Sequence, residues 1–259
     1  MRPTQDTAPP YKALFHPRLD PKRGSAWLAD PLALIPEGTQ APWRGLSTCD
    51  GLFVKYREAG RLASLRPPGS DRFERAMPLG LKLESCQQPV NAPLALIKGP
   101  GPGGRPGRWL IMDAIPGRNL AQLVTEDSLD ESARVFGRLA GILAHFHDQG
   151  FRQRDLKAPN IMVTRAGELL LVDLEGMVAL GKPASWKLRA KDLGRLGASF
   201  LSQAFVQSGV GPNHWDELLR LYLGACQQPI GEPGPLVEQI SLYARKKVER
   251  NLASGRPLA

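Results

Sequence analysis

The chain of 259 residues has few cysteines, few aromatic residues and no long apolar run. Its three cysteines, Cys49, Cys86 and Cys226, stand far apart and form no Cys-x-x-Cys pair. That argues against a zinc site or a dithiol redox centre and fits reduced thiols in the cytoplasm. No stretch reaches the ~18 consecutive apolar residues a spanning helix needs. The opening MRPTQDTAPPYK lacks the apolar core of a signal peptide, so a cytoplasmic protein is expected. Aromatic residues are 7% of the chain, with no aromatic–basic alternation that would form a stacking platform for bases. No nucleic-acid partner is therefore expected. The hydrophobic share of 42%, arranged in periodic segments, excludes wholesale disorder.

What the chain does carry is positive charge. Thirty-four Lys and Arg against 25 Asp and Glu leave +9, spread along the sequence and not gathered in a tail. Such a surface suits phosphorylated small molecules or an anionic membrane face. Clusters of the 27 glycines and 24 prolines mark the boundaries. Residues 1–24 hold five prolines and little periodicity, and are expected to form a poorly ordered arm before a single domain over 25–259. Residues 51–57 (GLFVKYR) alternate like a strand, with Phe53 and Lys55 on one face and Val54 and Tyr56 on the other. A break at 66–70 precedes a helix over 71–85, despite Pro78 and Gly80. Residues 94–98 and 109–115 are expected to be strands joined through GPGPGGRPG.

The second half changes character. Ser128 and Glu131 have capping-box spacing, and a helix follows with Val135, Phe136, Leu139, Ile142, Leu143 and Phe146 on one face. Gly150 is placed to end it. His145 and His147 fall near its end without metal-ligand spacing and are taken as helix residues. Apolar runs at 161–164 and 169–174 flank a hairpin turn at 165–168, and helices follow from 187 and from 236 to 252. The last carries Arg245, Lys246, Lys247 and Arg250 beside Ile240, Tyr243, Val248 and Leu252. That face suits an anionic leaflet, although a plain solvated face is the more economical account.

The informative stretch is residues 151–177, FRQRDLKAPNIMVTRAGELLLVDLEGM. Asp155 sits on a loop after a buried helix, and Asn160 follows five residues later. The hairpin returns Asp173 to the same edge. Carboxylate and amide oxygens are what Mg²⁺ takes alongside substrate phosphates. Lys157 is placed to neutralise charge on a transferring phosphoryl group. A solvated loop with a capping Asp would not need all four groups together.

This stretch resembles the catalytic loop and metal-binding motif of the protein-kinase-like superfamily, in which His-Arg-Asp, four residues and Asn precede Asp-Phe-Gly. Here the corresponding residues are Gln153-Arg154-Asp155, Asn160 and Asp173-Leu174-Glu175. The resemblance implies an α+β, bilobal protein-kinase-like fold, with a β-rich N-lobe over about 25–113 and a mainly helical, shortened C-lobe over about 114–259. It implies ATP and Mg²⁺ as cofactors. Asp155 would orient the acceptor hydroxyl or accept its proton, and Lys157 would steady the γ-phosphate. Asn160 and Asp173 would hold Mg²⁺. Lys55 would grip the α- and β-phosphates, steadied by Glu74, with Glu84 a second choice. Met112, Asp113 and Ala114 would offer backbone groups to adenine. Asp192 would hold the backbone of the catalytic loop, supported by Arg154. Two departures stand out: no Gly-x-Gly-x-x-Gly precedes Lys55, where residues 43–46 and Gly51 offer the local glycines, and Gln153 replaces the histidine. Gly176 also lies one residue later than in Asp-Phe-Gly.

Only 18 residues separate Asp173 from Asp192, and 67 follow it, which leaves little room for a peptide-docking segment. With the Phe-Val-Lys-Tyr-Arg strand and the Lys-Asp-Leu-Gly-Arg-Leu helix, the chain resembles the lipopolysaccharide kinase family over roughly 45–205. That family phosphorylates Kdo or heptose sugars of the lipid A–core region in Gram-negative bacteria. The resemblance implies an anionic, lipid-linked sugar as acceptor and peripheral contact with the inner membrane surface. A compact atypical serine/threonine protein kinase, a small-molecule phosphotransferase and a non-catalytic scaffold share the same central residues.

Overall fold

The computed structural model describes residues 4–8, 10–35, 46–47, 50–59, 71–101, 104–126, 129–229 and 233–255. The glycine candidates at 43–45, the break at 66–70 and the capping residue Ser128 lie outside them. The chain forms two compact units, residues 1–115 and 116–259. The division falls two residues beyond the expected lobe boundary.

Unit 1 is built on a six-stranded antiparallel sheet in the order β1-β2-β5-β6-β4-β3. The strands are β1 (Thr4–Ala8), β2 (Tyr11–Phe15), β3 (Leu46–Ser47), β4 (Leu52–Glu58), β5 (Ala95–Pro100) and β6 (Pro106–Asp113). Alternation works as the sequence suggests: Leu52, Val54 and Tyr56 of β4 are buried, while Phe53 and Lys55 are half-buried. The buried row packs with Ile97, Trp109 and Ile111 beneath Trp27 and Leu28 of α1 (Pro21–Ala29) and Leu34. Helix α2 (Arg72–Ser85) packs on β5 and β6 and buries Phe73, Ala76, Met77 and Leu81. Its N-cap is Asp71, whose carboxylate accepts from the Phe73 N–H at 2.8 Å.

Of the residues expected to form a loose arm over 1–24, the described ones carry strands β1 and β2 and the start of α1. Strand β2 pairs with β5 from Lys12↔Lys98 to Phe15↔Ala95, and Ala13 and Phe15 enter the core. The prolines misled because of where they fall. Pro10 and Pro17 sit in turns, and Pro21 opens α1, where its missing N–H costs nothing.

Unit 2 is mainly helical: α3 (Leu120–Glu126), α4 (Leu129–Asp148), α5 (Trp186–Phe200), α6 (Gln203–Gln207), α7 (Pro212–Ala225) and α8 (Pro233–Ala253). Short strands β7 (Gly117–Asn119), β9 (Ile161–Thr164) and β10 (Leu169–Leu171) form one small sheet; β8 (Phe151–Gln153) and β11 (Met177–Ala179) form another. Helices α5 and α8 pack closely because α5 presents glycine to its neighbours. A Cβ on Gly194 would collide with Tyr243, and one on Gly197 would lie 2.8 Å from the Trp215 ring. The architecture is thus α+β, a sheet-rich first unit followed by a mainly helical second.

The place of β2 in the core is testable. Ala13→Asp puts an unpaired charge at a position only 3% exposed. It should lower stability by about 3–5 kcal/mol in urea unfolding, whereas a loosely draped arm would tolerate it.

Candidate active site

The loop that carries Asp155 is held at both ends by strand pairing. Strand β8 enters it, pairing with β11 in the register Met177↔Gln153. A single 3₁₀ turn over 158–160 leaves it, and β9 and β10 then form the expected hairpin. The Val172 N–H donates to the Asn160 carbonyl at 3.0 Å, extending the ladder one step and drawing Asp173 back beside Asn160. Asp173 adopts a left-handed backbone (φ 65°, ψ 59°), a conformation Asp tolerates better than most residues. The Gly176 N–H donates to the Asp173 carbonyl at 3.0 Å, and the Arg154 N–H to the Gly176 carbonyl at 2.9 Å. Three of the four central residues, Asp155, Lys157 and Asn160, are in contact. Lys157 Nζ lies 3.0 Å from Asp155 Oδ2, and Asn160 Nδ2 donates to the Asp155 carbonyl at 2.8 Å. The Asp155 and Lys157 side chains are 44% and 40% exposed, so their ion pair is weak and open to a ligand.

Gln153, in the histidine position, ties the two halves together. Its Nε2 donates to the carbonyls of Val172 and Asp173, each at 3.1 Å, and its Oε1 accepts from the Asp155 N–H at 3.2 Å. An imidazole has two ring nitrogens and cannot make all three bonds. Gly176 belongs to the same arrangement, since a Cβ there would overlap Gln153 Oε1. The shifted glycine thus makes room for the glutamine.

Beneath the loop lies a buried ionic network. Asp192 on α5 is fully buried and accepts two bonds from Arg152, at 3.1 and 2.5 Å, and one from Arg195 at 3.1 Å. His147 Nε2 faces the same carboxylate at 3.7 Å, and His147 Nδ1 lies 2.8 Å from the Tyr222 hydroxyl. Burial pushes His147 below the usual histidine range, against the pull of Asp192. Arg189 donates to the Ala184 carbonyl and to Asp148, at 2.7 and 2.6 Å. The expected role of Asp192 changes accordingly: it grips the loop's entry strand through the Arg152 side chain. The α5 group that holds loop backbone is Ser199, whose Oγ accepts from the Ala158 N–H at 3.2 Å. The backbone of Arg154 supports the loop, and its side chain is exposed. Arg152 and Ser199 carried no local sequence signal, since their partners lie about 40 residues away.

In unit 1 the expected residues lie on β4, on α2 and at the end of β6. Lys55 stands opposite Leu110. Glu74 is engaged by Lys98 at 2.8 Å and Arg108 at 3.2 Å, on the neighbouring cross-strand row Arg57–Arg108–Lys98. Glu84 is bound by His16 at 2.7 Å and Arg18 at 2.8 Å. Met112 is buried in β6. The Asp113 carbonyl accepts from Asn91, and the Ala114 N–H donates to the Gly51 carbonyl, each at 2.8 Å. Those two backbone groups, expected to face adenine, are engaged within the protein.

No group of three or more His, Cys, Asp and Glu side chains suited to a metal occurs among the described residues. Asn160 and Asp173 instead supply a sparse set of oxygen donors. Mg²⁺ accepts such a set when waters and phosphates complete its shell.

No protein-family model matches the chain. Over 68 residues it is 35% identical to the probable serine/threonine-protein kinase PknB of Corynebacterium glutamicum, covering 25% of this chain and 10% of that protein. Over 78 residues it is 30% identical to the O-antigen chain terminator bifunctional methyltransferase/kinase WbdD of Escherichia coli, covering 30% and 11%. The chain thus spans about a tenth of the length of the curated relatives it matches. Among solved structures it is similar to a divergent kinase lacking the glycine-rich loop, which regulates membrane ultrastructure of the Toxoplasma parasitophorous vacuole. The TM-score is 0.46 at 17% identity, covering 91% of this chain and 77% of that one. For the structure of the kinase-methyltransferase WbdD the values are 0.43 at 21%, covering 76% and 46%. These relatives and neighbours are kinases.

Two measurements probe the network. Arg152→Met leaves the Asp192 carboxylate short of its main partner and should cost about 3–5 kcal/mol in chemical denaturation, with Asp192→Asn added to it recovering part of the loss. The depressed His147 also makes stability depend on pH. Below about 6.5, the unfolded-state value, the unfolded chain binds a proton that folded His147 resists. This contribution is full above that pH and lost as pH falls. His147→Gln should flatten the profile between pH 5 and about 6.5 in thermal melts.

Proposed function

We propose that the protein is an ATP- and Mg²⁺-dependent kinase that phosphorylates a hydroxyl of an anionic acceptor, a Kdo or heptose sugar of the lipopolysaccharide core. The observation that carries this reading is the contact of Asp155, Lys157 and Asn160 on one loop, cross-linked by Gln153 to the backbone of Asp173. Asp155 orients the acceptor hydroxyl and takes its proton as the new O–P bond forms and the bond to the ADP leaving group breaks. Lys157, in a weak pair with Asp155, can turn to the γ-phosphate as charge shifts. With Nδ2 on the Asp155 carbonyl, Asn160 offers Oδ1 to Mg²⁺, and the Asp173 carboxylate is the second ligand. The ion would neutralise phosphate charge. Lys55 is assigned to the α- and β-phosphates.

The acceptor class rests on three supports. The chain carries +9. Only 18 residues separate Asp173 from Asp192, a short stretch on which to dock a peptide. One relative is described as an O-antigen methyltransferase/kinase. No helix among the described residues is long and apolar enough to cross a membrane. A lipid-linked acceptor would therefore be met at the surface, and the exposed Leu242 and Leu252 beside Arg245 and Lys246 on α8 offer a face for that contact.

The test uses purified protein, Mg²⁺ and γ-labelled ATP, with a lipopolysaccharide-core extract and a mixed protein fraction as separate acceptors. Label should enter the glycolipid, and Asp155→Asn should lower the rate by about 10²–10⁴-fold without changing the melting temperature. Label entering protein alone would replace this reading with a compact protein kinase. No transfer to either would leave a small-molecule phosphotransferase or a non-catalytic scaffold.

A further inference from the structure

A basic recess lies within unit 2, away from the catalytic loop. It is a cavity of about 470 Å³ whose walls include Gly117 and Arg118 of β7, Leu123 of α3, Thr164 of β9, and Arg165 and Gly167 of the following turn. The size falls in the range of small-ligand sites, roughly 300–1,000 Å³. Pairing of β7 with β9 (Gly117↔Thr164, Arg118↔Val163) brings Arg118 of β7 to the recess beside Arg165 of the turn that follows β9. A third guanidinium stands at the rim, where Arg138 Nη1 donates to the Gly167 carbonyl at 2.7 Å. One counter-charge to Arg118 is Glu126 at 3.4 Å, the Glu126 and Arg118 side chains being 55% and 40% exposed. An exposed pair of this kind is worth at most about 1 kcal/mol, so this pair would yield to a dianion. Leu123 and Val163 supply an apolar floor beside the charge.

We infer that this recess binds the phosphate group of a phosphorylated small molecule. Arginine presents its N–H groups as a planar fork that fits phosphate oxygens two at a time, and two forks on one recess define a dianion site better than a single point charge. The apolar floor would take the organic body. The recess cannot be where phosphoryl transfer occurs. Thr164 lies four residues along β9 from Asn160, about 13 Å at ~3.3 Å per residue. It is an accessory site, and its occupancy does not depend on whether the protein proves to be a kinase.

Isothermal titration of the full chain with glucose 1-phosphate, inorganic phosphate and glucose tests this. Glucose 1-phosphate should bind, inorganic phosphate more weakly, and glucose not at all. The double variant Arg118→Gln/Arg165→Gln should weaken glucose 1-phosphate binding at least tenfold. Arg165→Gln alone, on an exposed turn where it cannot disturb folding, should weaken it several-fold. Asp155→Asn and the distant Arg220→Gln should bind like the wild type. Absence of binding to the wild type would overturn the inference. So would unchanged binding in Arg165→Gln, or a loss caused by Asp155→Asn, which would place the phosphate on the catalytic loop.

Discussion

The site in unit 2 depends on one buried carboxylate. Asp192 is out of contact with water, and such a charge is tolerable only when hydrogen bonds replace the lost hydration. Arg152 supplies two of them and Arg195 a third. The arrangement contributes little net stability compared with an apolar core of the same volume. What it adds is definition. Arg152 lies in the strand entering the catalytic loop, so satisfying Asp192 fixes that strand against α5 in one register. Neutral His147 completes the enclosure without adding a competing positive charge. Its position between Asp192 and Tyr222 accounts for a histidine at full burial, with Nδ1 at the Tyr222 hydroxyl and Nε2 facing the carboxylate.

From that anchor the geometry passes outward, from buried Arg152 and Gln153 to half-exposed Asp155. Arg152 is followed by Gln153, whose amide satisfies three backbone groups from two chain segments. Asp155 comes next, half-exposed and paired weakly enough to exchange partners. Rigidity is concentrated where position matters and released where ligands must enter. A catalytic carboxylate needs this combination, because proton transfer demands hydrogen-bond reach while substrate entry demands access. The Gln153–Gly176 pair also shows that two departures from the family pattern are one structural event. An amide that accepts from Asp155 must occupy the space a side chain at 176 would fill.

Local features were legible in the sequence, and long-range partners were not. The strand at β4, the helix α2, the β9–β10 hairpin and the ending of α4 near Gly150 all follow from periodicity and turn chemistry along the local sequence. The grouping of Asp155, Lys157 and Asn160 was readable because the three lie within six positions. Arg152 with Asp192, Ala158 with Ser199, and Glu74 with Lys98 and Arg108 join residues 24 to 41 positions apart, and nothing in a single sequence marks such pairs. The N-terminal strands were missed for another reason. Proline content was read as disorder, when proline position within turns and at a helix start was the informative quantity.

The N-terminal segment also fixes part of unit 1 that the catalytic reading needs. After β2, the chain places His16 and Arg18 over Glu84 near the end of α2, and Arg18 also reaches Asp113 at 3.1 Å. One short segment thus joins the end of the helix to the end of β6. Asn91 caps the Asp113 carbonyl, and Ala114 continues the ladder to Gly51. The chain leaving β6 is therefore held by three contacts from three different segments, where strand pairing alone would supply the ladder bond only. A nucleotide approaching that strand would find Asp113 and Ala114 already committed.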